Sequence, residues 1–394
     1  MAKQVILGWQ ISTIFGWGVY GLNLALNWAS DPQIESATSC VPHLIDIDPL
    51  RARSIVPFIQ RSQEIYKILQ PYANGRMDYD GTFLAPLGNN FEQGILSAHN
   101  VTIIGKPSIG VIFFENTLSP EAVERAKHFP CIVTGSTWNE RVLGAYNIND
   151  VRTVPQGIDP SLFHPGPKHH LFKDRFLIFS GGKAEYRKAQ DIVLAAFKVF
   201  SERHPEAVLV TAWYNFWPHM IRSLDWSGLL RPVVVNKSNQ IDVPGWATAN
   251  EIPADRVIDL GYIPNYAAPT ILREMNVALF PNRAEGGTNL VAMECMACGL
   301  PTILSRNTGH ADIIQNDSCY TLDDQRQTLR GFADVGGVSG WGESQVDEVV
   351  ERLERVFFDP TQAAKRGRRA VKRLSRLTWQ ATAGQMKEIV TEFT

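Results

Sequence analysis

The amino-acid sequence predicts an α/β protein of two domains, each a parallel sheet covered by helices. At 394 residues the chain is longer than one ordinary hydrophobic core requires and suits two domains. Short apolar runs alternate with longer amphipathic stretches, which is typical of repeated βα units. A segment from Val154 to Pro167, rich in proline and glycine, interrupts this alternation and is typical of an inter-domain linker.

In the first half, apolar runs predict strands at Val5–Trp9, Thr82–Pro86, Val101–Ile104, Ile109–Phe114 and Cys131–Thr134, with helices that include Val19–Ala29 and Pro120–His128. A second series predicts strands at Phe176–Ser180, Val208–Ala212, Val257–Leu260, Val277–Pro281 and Pro301–Leu304, with helices that include Ala189–Arg203 and Leu290–Cys298. The tail from about Ser375 predicts a last helix, because Trp379, Met386, Ile389 and Val390 recur at helical spacing. The linker divides these series near residue 165.

Composition and charge narrow the class of protein. Hydrophobic residues make up 44% of the chain and charged residues 20%, as in a folded globular protein, and the formal net charge is -2. With no basic excess, we expect no nucleic-acid partner. No apolar run is long enough for a transmembrane helix, the N-terminal run is too short for a signal peptide, and no strongly basic amphipathic helix stands out. Five scattered cysteines favour a reducing, cytoplasmic location.

The most informative segment runs from Pro281 to Pro301 and predicts a strand end, a glycine loop, a helix and an exit into the next strand. The loop residues Gly286, Gly287, Thr288 and Asn289 lie at the helix N-terminus, where unpaired backbone N–H groups can bind a diphosphate. Either Thr288 or Asn289 can cap that helix. Two carboxylates frame the loop: Glu285 lies before it, and Glu294 lies in the helix, where it can accept hydrogen bonds from sugar hydroxyls.

This segment resembles the signature of family-4-type retaining glycosyltransferases, which have the GT-B fold. In that family a glutamate-containing loop precedes a helix that reads Glu-Ala-Met-Ala-Cys-Gly-x-Pro, and here the helix reads Glu-Cys-Met-Ala-Cys-Gly-Leu-Pro from Glu294 to Pro301. The resemblance implies that Glu285 contacts the donor sugar and Glu294 the nucleotide ribose. One departure is that eight residues separate the two glutamates, where the family usually has seven, so the extra residue lies in the loop.

A second match lies at Phe179–Asp191, where a strand end, a glycine turn and two cations precede an apolar helix. Positive charge there can offset the negative charge that grows on a departing diphosphate. The family has an arginine and a lysine at this spacing, and Lys183 and Lys188 occupy those positions. Lysine is a point charge and not a bidentate fork, so the phosphate geometry is expected to differ.

Four further groups of candidates follow from weaker signals. Gly16 and Gly18 form either a tight βα turn or the N-terminal glycine loop that faces the donor in the family. The resemblance places Tyr262 and Ile263 beside the nucleotide base. Many relatives have a histidine at the end of a central strand in the first domain, and this chain has Glu115 there, which either takes that role or caps the following helix. Asn89 and Asn90 are candidates for the acceptor side.

The resemblance implies two Rossmann-like domains that face a central cleft. Residues 1–165 would form the acceptor-side domain, together with a tail helix at about 376–394 that crosses back onto it, and residues 166–375 would bind the nucleotide sugar. It further implies retention of anomeric configuration, no metal and no cofactor beyond the nucleotide-diphosphate sugar, which is a co-substrate. The acceptor proton would pass to the departing phosphate, so no side-chain base is required.

Other interpretations remain open at this point. The chain could bind a nucleotide sugar without turnover, or it could be a dinucleotide-dependent oxidoreductase, although no third glycine follows Gly18 at the fingerprint spacing. The segments 46–48 and 78–80 each read Asp-x-Asp, the pattern that holds a metal in GT-A enzymes, but neither follows a convincing strand. Cys295 and Cys298 lack the further ligands that a structural zinc site needs, and packing explains them better.

Overall fold

The computed structural model describes residues 2–43, 45–94, 97–148, 150–315, 317–328 and 338–393. The chain divides into two compact units, Met1–Gly157 with Leu377–Thr394, and Ile158–Arg376. The structural boundary therefore follows Gly157, whereas the sequence analysis draws it near residue 165. A β-carbon on Gly157 would lie 2.2 Å from the returning backbone at Thr378, so only glycine allows this crossing. Beyond the boundary, the carbonyl of His164 accepts a hydrogen bond of 2.9 Å from Arg273.

The first unit contains a six-stranded parallel sheet of order β2-β1-β4-β6-β7-β8, and a separate parallel pair of β3 and β5. Its strands are β1 Lys3–Leu7, β2 Ile34–Thr38, β3 Arg76–Tyr79, β4 Thr82–Leu87, β5 Thr102–Gly105, β6 Ser108–Ile112, β7 Ile132–Thr134 and β8 Val151–Thr153. Its helices before the boundary are α1 Gly16–Trp28, α2 Pro49–Ser54, α3 Val56–Leu69, α4 Pro120–Ala126 and α5 Thr137–Ala145. Every residue of β4 is buried, as expected for a strand covered on both faces.

The second unit also contains a six-stranded parallel sheet, of order β11-β10-β9-β12-β13-β14, and an antiparallel pair of β15 and β16. Its strands are β9 Phe176–Lys183, β10 Ala207–Tyr214, β11 Val257–Asp259, β12 Val277–Phe280, β13 Thr302–Ser305, β14 Tyr320–Leu322, β15 Gln325–Gln327 and β16 Gly342–Ser344. Its helices are α6 Gln190–Arg203, α7 Val243–Ala249, α8 Ala268–Glu274, α9 Leu290–Ala297, α10 Val346–Phe358 and α11 Pro360–Leu374. When the six strands are numbered from 1 in chain order within this unit, their order in the sheet is 3-2-1-4-5-6, which is that of the Rossmann fold.

The last helix, α12 at Trp379–Glu392, belongs to the first unit. The indole Nε1 of Trp28 on α1 donates to the carbonyl of Ala383 at 3.1 Å, and Lys387 pairs with Asp31 at 2.5 Å. The apolar residues that predicted this helix are buried, namely Trp379, Met386, Ile389 and Val390.

Both Rossmann-like α/β domains are confirmed, and each predicted strand is present within a few residues of its expected bounds. One local prediction is wrong. The glycine turn expected after Ser180 is strand, because β9 continues through Gly181 and Gly182 to Lys183 and pairs with β10 throughout. Gly182 has φ +127°, a conformation that favours glycine and that allows the strand to continue here.

The expectation that no strongly basic amphipathic helix exists is also wrong. Helix α11 carries six basic residues, and its buried face consists of Ala363, Gly367, Ala370 and Leu374. A β-carbon on Gly367 would lie 2.1 Å from the carbonyl oxygen of Gly299, so the helix packs backbone to backbone. Small residues make the apolar face hard to recognise in the sequence, because the hydrophobic periodicity is weak where alanine and glycine replace leucine.

Candidate active site

The candidate site of the second unit lies at the carboxyl edge of its sheet. In a doubly wound sheet, ligands bind where the strand order reverses, and here that point lies between β9 and β12. Lys183 ends β9, and the segment with Glu285 follows β12. The topology therefore brings together two sequence motifs that are about 100 residues apart.

The carboxylate of Glu285 lies at the centre of a buried ion cluster. Its Oε1 lies 2.6 Å from Lys188 Nζ and also accepts a hydrogen bond from Asn282 Nδ2, while its Oε2 lies 3.0 Å from Arg187 Nη1. Arg187 in turn pairs with Glu185 at 2.6 Å, and Glu185 with Lys183 at 3.2 Å. The ion cluster thus comprises Lys183, Glu185, Arg187, Lys188 and Glu285.

The cluster carries three cations and two anions, so its net charge is positive. The side chains of Glu185, Arg187 and Glu285 are at most 6% exposed, and only that of Lys183, at 39%, reaches well into solvent. Sequence analysis identified Lys183, Lys188 and Glu285 but assigned no role to Glu185 or Arg187. Their signal was available, since a charged run directly after an apolar strand is unusual unless the charges are paired.

The protonation states follow from these contacts. Burial alone would raise the pKa of Glu285, but the charges of Lys188 and Arg187 outweigh it and lower that pKa to about 2. Burial likewise opposes ionisation of Glu185, and Lys183 and Arg187 lower its pKa overall. The pKa of Lys188 is lowered by burial, and Glu285 partly offsets this effect.

A second buried ion pair anchors the segment that carries Glu285. The guanidinium of Arg283 is fully buried and contacts both carboxylate oxygens of Asp191 on α6, at 2.9 and 2.7 Å. It stacks 3.9 Å from the centre of the Tyr186 ring, and its Nε lies 2.9 Å from Glu343 of β16. The backbone N–H of Arg283 also donates to the carbonyl of Arg187 at 2.8 Å, which holds the two halves of the ion cluster in register.

The glycine loop and the start of α9 are closely packed. Asn289 has φ 63° and caps α9 by accepting the N–H of Ala292 at 3.4 Å. Thr288 does not cap the helix, because its hydroxyl donates to the sulfur of Met293 at 2.9 Å. A β-carbon on Gly309 would lie 1.7 Å from the carbonyl oxygen of Gly287, so glycine is required where the two loops meet. Gly286 is buried and Gly287 half-buried in this loop.

A buried histidine that sequence analysis missed lies beside this loop. His310 Nε2 lies 3.0 Å from Asn289 Nδ2, which donates to it. His310 Nδ1 lies 3.0 Å from the hydroxyl of Ser305, and that hydroxyl donates to the carbonyl of Asn282 at 2.6 Å. This pattern assigns the neutral tautomer with the proton on Nδ1. Burial lowers the pKa of His310 to about 4, despite the opposing charge of Glu285.

Glu294 lies apart from the ion cluster and beside the segment that follows β11. Its carboxylate accepts a hydrogen bond from Asn265 Nδ2 at 3.0 Å, and burial raises its pKa to about 8. Tyr262 and Ile263 precede Asn265 by a few residues. Tyr262 is partly exposed, and its ring centre lies 6.3 Å from that of Tyr214 at the end of β10. The ribose and base candidates therefore belong to one neighbourhood of the sheet edge.

The remaining candidates belong to the first unit. Helix α1 begins at Gly16, so Gly16 and Gly18 lie in its first turn and not in a loop before it. A β-carbon on Gly18 would lie 2.5 Å from the Ser12 side chain, so a close turn requires glycine there, whereas the space beside Gly16 is open. The close approach of Ser12 therefore explains why residue 18 is glycine, whereas no close contact requires glycine at position 16.

Glu115 and Asn89 lie together at the carboxyl edge of the first sheet. The N–H of Glu115 donates to Asn89 Oδ1 at 3.3 Å, which joins the segments that follow β6 and β4. Asn90 Oδ1 instead accepts the N–H of Glu92 at 3.1 Å, within its own turn. The interpretation of Glu115 as a helix cap is wrong, because Ser119 caps α4.

The Asp-x-Asp segments and the cysteine pair, for which the sequence favours no metal site, have structural roles. Asp48 caps α2, and Asp78 pairs with Arg76 at 3.0 Å. Cys295 and Cys298 are buried and free, and burial raises the pKa of Cys298 to about 12. Within the described ranges, no cluster of three or more histidine, cysteine, aspartate or glutamate side chains is arranged to hold a metal ion. Among the helices of those ranges, none has the length and apolar character to cross a membrane.

Two Rossmann-like α/β domains in one chain are the architecture of GT-B glycosyltransferases. Residues 267–386 match a family model described as "Family 4 Glycosyltransferase in conflict systems". The GDP-mannose-dependent alpha-(1-6)-phosphatidylinositol dimannoside mannosyltransferase of Mycobacterium tuberculosis is 26% identical over 241 residues, which cover 59% of this chain. That alignment covers 50% of the relative, so this chain matches about half the length of the curated relatives.

Solved structures show the same fold. Sucrose-phosphate synthase from Thermosynechococcus elongatus superposes with a TM-score of 0.63 at 15% identity, over 100% of this chain and 99% of that one. Anabaena HepE, in complex with UDP, superposes with a TM-score of 0.63 at 14% identity, over 99% of this chain and 100% of that one. The resemblance to GT-B glycosyltransferases of the family-4 type is thereby confirmed. The segment matched by the family model contains Glu285 and helix α9, which carries Glu294.

Proposed function

We propose that this protein is a retaining glycosyltransferase that moves a sugar from a nucleotide-diphosphate donor to an acceptor hydroxyl without a metal. The observation that carries the proposal is the positively charged ion cluster at the point where the strand order of the second sheet reverses. The names of the relatives agree in chemistry: the mycobacterial enzyme is GDP-mannose-dependent, and the structure of HepE is a complex with UDP. A nucleoside diphosphate is thus the shared element.

The diphosphate would bind between the cations and the glycine loop. Lys183, with its partly exposed ammonium group, and Lys188 would face the phosphates, and backbone groups of Gly286 and Gly287 would lie on the other side. Neutralising a dianionic leaving group is the task that a metal performs in many transferases. Here the excess positive charge of the ion cluster can supply part of that neutralisation, and it acts more strongly beside a partly buried site than in water.

The role that we propose for Glu285 differs from the contact with the donor sugar that the resemblance implies. Both of its carboxylate oxygens are already bound, by Lys188 and Asn282 on one side and by Arg187 on the other. We therefore assign it to holding the cations in place. Contact with the donor sugar would require the diphosphate to draw Lys188 away, which would release one oxygen of Glu285 as the donor binds.

The rest of the donor would extend along the sheet edge. Glu294 and Asn265 would bind the ribose hydroxyls, and Tyr262 and Ile263 would contact the base. Because the pKa of Glu294 is raised to about 8, the carboxyl group is largely protonated at neutral pH before the ligand arrives. Hydrogen bonds from two ribose hydroxyls would favour the ionised form, so binding would be linked to loss of a proton.

In the reaction, the bond between the anomeric carbon and the diphosphate oxygen breaks, and a bond to the acceptor oxygen forms on the same face. The acceptor proton passes to the departing phosphate oxygen, so the side chains only stabilise charge. The acceptor would be held by the first domain, where Asn89, Asn90 and Glu115 are the candidates, and Gly16 and Gly18 would face the donor. Five free, buried cysteines agree with a cytoplasmic location.

The test is thermal stabilisation by UDP, GDP, ADP, CDP and dTDP in the presence of a chelator, followed by NMR of the sugar released from the matching donor. A nucleotide at a hundred times its dissociation constant adds about 2.7 kcal/mol of stability. The double variant K183A/K188A should lose this response, while K198A, which removes a half-buried lysine of α6 that lies outside the ion cluster, should keep it. Binding without any sugar release would leave a binding protein without turnover. No response to any nucleotide would refute the proposal.

A further inference from the structure

The exposed side of α11 carries a dense stripe of positive charge. Between residues 365 and 376 the chain has seven basic residues and no acidic one, whereas the rest of the chain has a net charge of -9. Lys365, Arg368 and Lys372 follow one another at intervals of three or four residues, so they line one face of α11, and Arg376 lies two residues beyond the end of that helix. Arg369 lies beside them. These five residues are called the basic stripe below.

The stripe is turned away from the core of its unit. The buried residues of α11, Ala363, Gly367, Ala370 and Leu374, are about half a helical turn away from the stripe on the helix circumference. All five stripe residues are exposed. The two basic residues on the flanks behave differently, because Arg366 donates to the carbonyl of Cys319 at 2.6 Å and Arg373 to that of Asp312 at 2.7 Å. The helix thus separates structural cations from solvent-facing ones.

Most of the stripe has no counter-charge. Arg369 lies 3.3 Å from Asp317, but across the described ranges the side chains of Lys365, Arg368, Lys372 and Arg376 have no ion pair or hydrogen bond. Three like charges along about 10 Å of helix, with a fourth just beyond its end, repel one another, because their spacing is comparable with the Debye length of about 8 Å at physiological salt. Elsewhere in this unit exposed arginines are commonly paired, for example Arg306 with Asp323 at 2.6 Å. A stripe of this kind is stabilised when it meets an anionic surface.

We propose that the basic stripe docks the protein on an anionic lipid surface. The exposed positions of α11 carry charge without the aromatic side chains that stack on single-stranded bases. A large aromatic residue lies instead at one end: Phe358, which is 72% exposed, stands at the junction of α10 and α11. A face of cations complements the negative surface of an anionic bilayer, and exposed aromatic rings such as that of Phe358 are common at membrane interfaces.

The affinity should depend on charge in a predictable way. Each lysine or arginine close to an anionic bilayer strengthens binding by about fivefold. Replacing four of them by glutamine should therefore weaken binding by roughly 100- to 1,000-fold. The attraction is screened by salt, so raising the ionic strength should release the protein.

The test is co-sedimentation of the full chain with vesicles of phosphatidylcholine, with and without about 30% phosphatidylglycerol. We expect binding to the anionic vesicles only, release at 0.5 M NaCl, and loss of binding in the variant K365Q/R368Q/K372Q/R376Q. The matched control K173Q/R231Q/K237Q/R326Q removes two lysines and two arginines that are exposed elsewhere in the same unit, and it should still bind.

Three outcomes would overturn the proposal. They are equal binding to neutral vesicles, equal loss of binding in both quadruple variants, or absence of binding to the anionic vesicles, in which case a mobility shift of short DNA or RNA duplexes would identify a nucleic acid as the partner instead. Thermal unfolding shows whether each variant is folded. Because the stripe lies outside the ion cluster, the response of the stripe variant to nucleotides should be unchanged, which separates this proposal from that of the transferase reaction.

Discussion

Replacing Glu285 by glutamine removes the central charge of the ion cluster while keeping the shape of the side chain. In the wild type this carboxylate pairs with Lys188 at 2.6 Å and with Arg187 at 3.0 Å, at 6% exposure. The substitution leaves two cations buried beside each other with only Glu185 to balance them. We therefore expect a large loss of stability in the second unit.

The magnitude follows from two independent routes. The pKa of Glu285 falls from 4.5 to about 2, and each pKa unit is about 1.4 kcal/mol, so ionisation in the folded state contributes about 3 kcal/mol at pH 7. Removal of one partner from a buried ion pair costs about 3–5 kcal/mol. Both routes give about 3–5 kcal/mol, which corresponds to a decrease of roughly 10 °C in the melting temperature of a unit of this size.

The pH dependence has a defined sign. The folded pKa of Glu285 is lower than the unfolded one, so its stabilisation is complete above about pH 4.5 and is lost as the pH falls towards 2. The difference between wild type and E285Q should thus be constant from pH 7 to 5.5 and shrink below 4.5. Urea unfolding followed by tryptophan fluorescence at several pH values measures this difference.

The chain supplies a matched control. Glu251 pairs with Lys198 at the same 2.6 Å, but Glu251 is 68% exposed. E251Q should leave the unfolding midpoint unchanged, because solvent screens an exposed pair. The double variant E285Q/K188M should be no less stable than E285Q, because it removes one of the stranded cations. Equal stability of E285Q and wild type, or equal effects of E285Q and E251Q, would refute the assigned role of burial.

Three further predictions concern neighbouring groups. Because the folded pKa of Glu294 is raised to about 8, the wild type should lose stability as the pH rises from 4.5 to 8, by up to about 5 kcal/mol and by less in proportion to the solvent contact of this half-buried side chain. E294Q should show no such loss in urea titrations. The folded pKa of His310 is lowered to about 4, so stability should fall by about 3 kcal/mol as the pH falls from 6.5 to 4, and a flat profile for wild type or an equally steep one for H310Q would contradict this. G309A places a β-carbon 1.7 Å from the carbonyl oxygen of Gly287 and should cost about 2–4 kcal/mol and abolish nucleotide stabilisation in thermal-shift measurements. G384A, on an open face of α12, should be neutral or slightly stabilising, and similar behaviour of the two alanine variants would show that the clash is relieved without cost.

The local chemistry of the site could be predicted from the sequence. Lys183 and Lys188 lie at and after the end of an apolar strand, and Glu285 precedes a glycine loop and a helix. Hydrophobic alternation and helix-start signals therefore place each of them at the junction between the strand and the helix of a βα unit. The same signals placed α12, because its apolar residues recur at helical spacing and are long side chains. Such features depend on residues that are close in the chain.

The sequence did not predict elements that depend on pairing with distant strands or on small buried residues. β8 and β14 each have a polar residue at the centre of three, so neither forms an apolar run, and their strand conformation comes from pairing with a neighbour in the sheet. The continuation of β9 through Gly181 and Gly182 depends on pairing with β10, which overrides the local preference of glycine for turns. The basic face of α11 was missed because its buried face consists mostly of alanine and glycine.

The sequence by itself determined the two α/β domains and the main charged residues, because hydrophobic periodicity and short motifs are local properties of the chain. Only the tertiary structure decided which charges meet. Parallel pairing of β9 with β12 brings Arg187 and Lys188 to Glu285, and the fold buries Arg283 against Asp191. The protonation states of Glu285, Glu294 and His310 depend on burial and on partners distant in sequence, and both are properties of the folded chain.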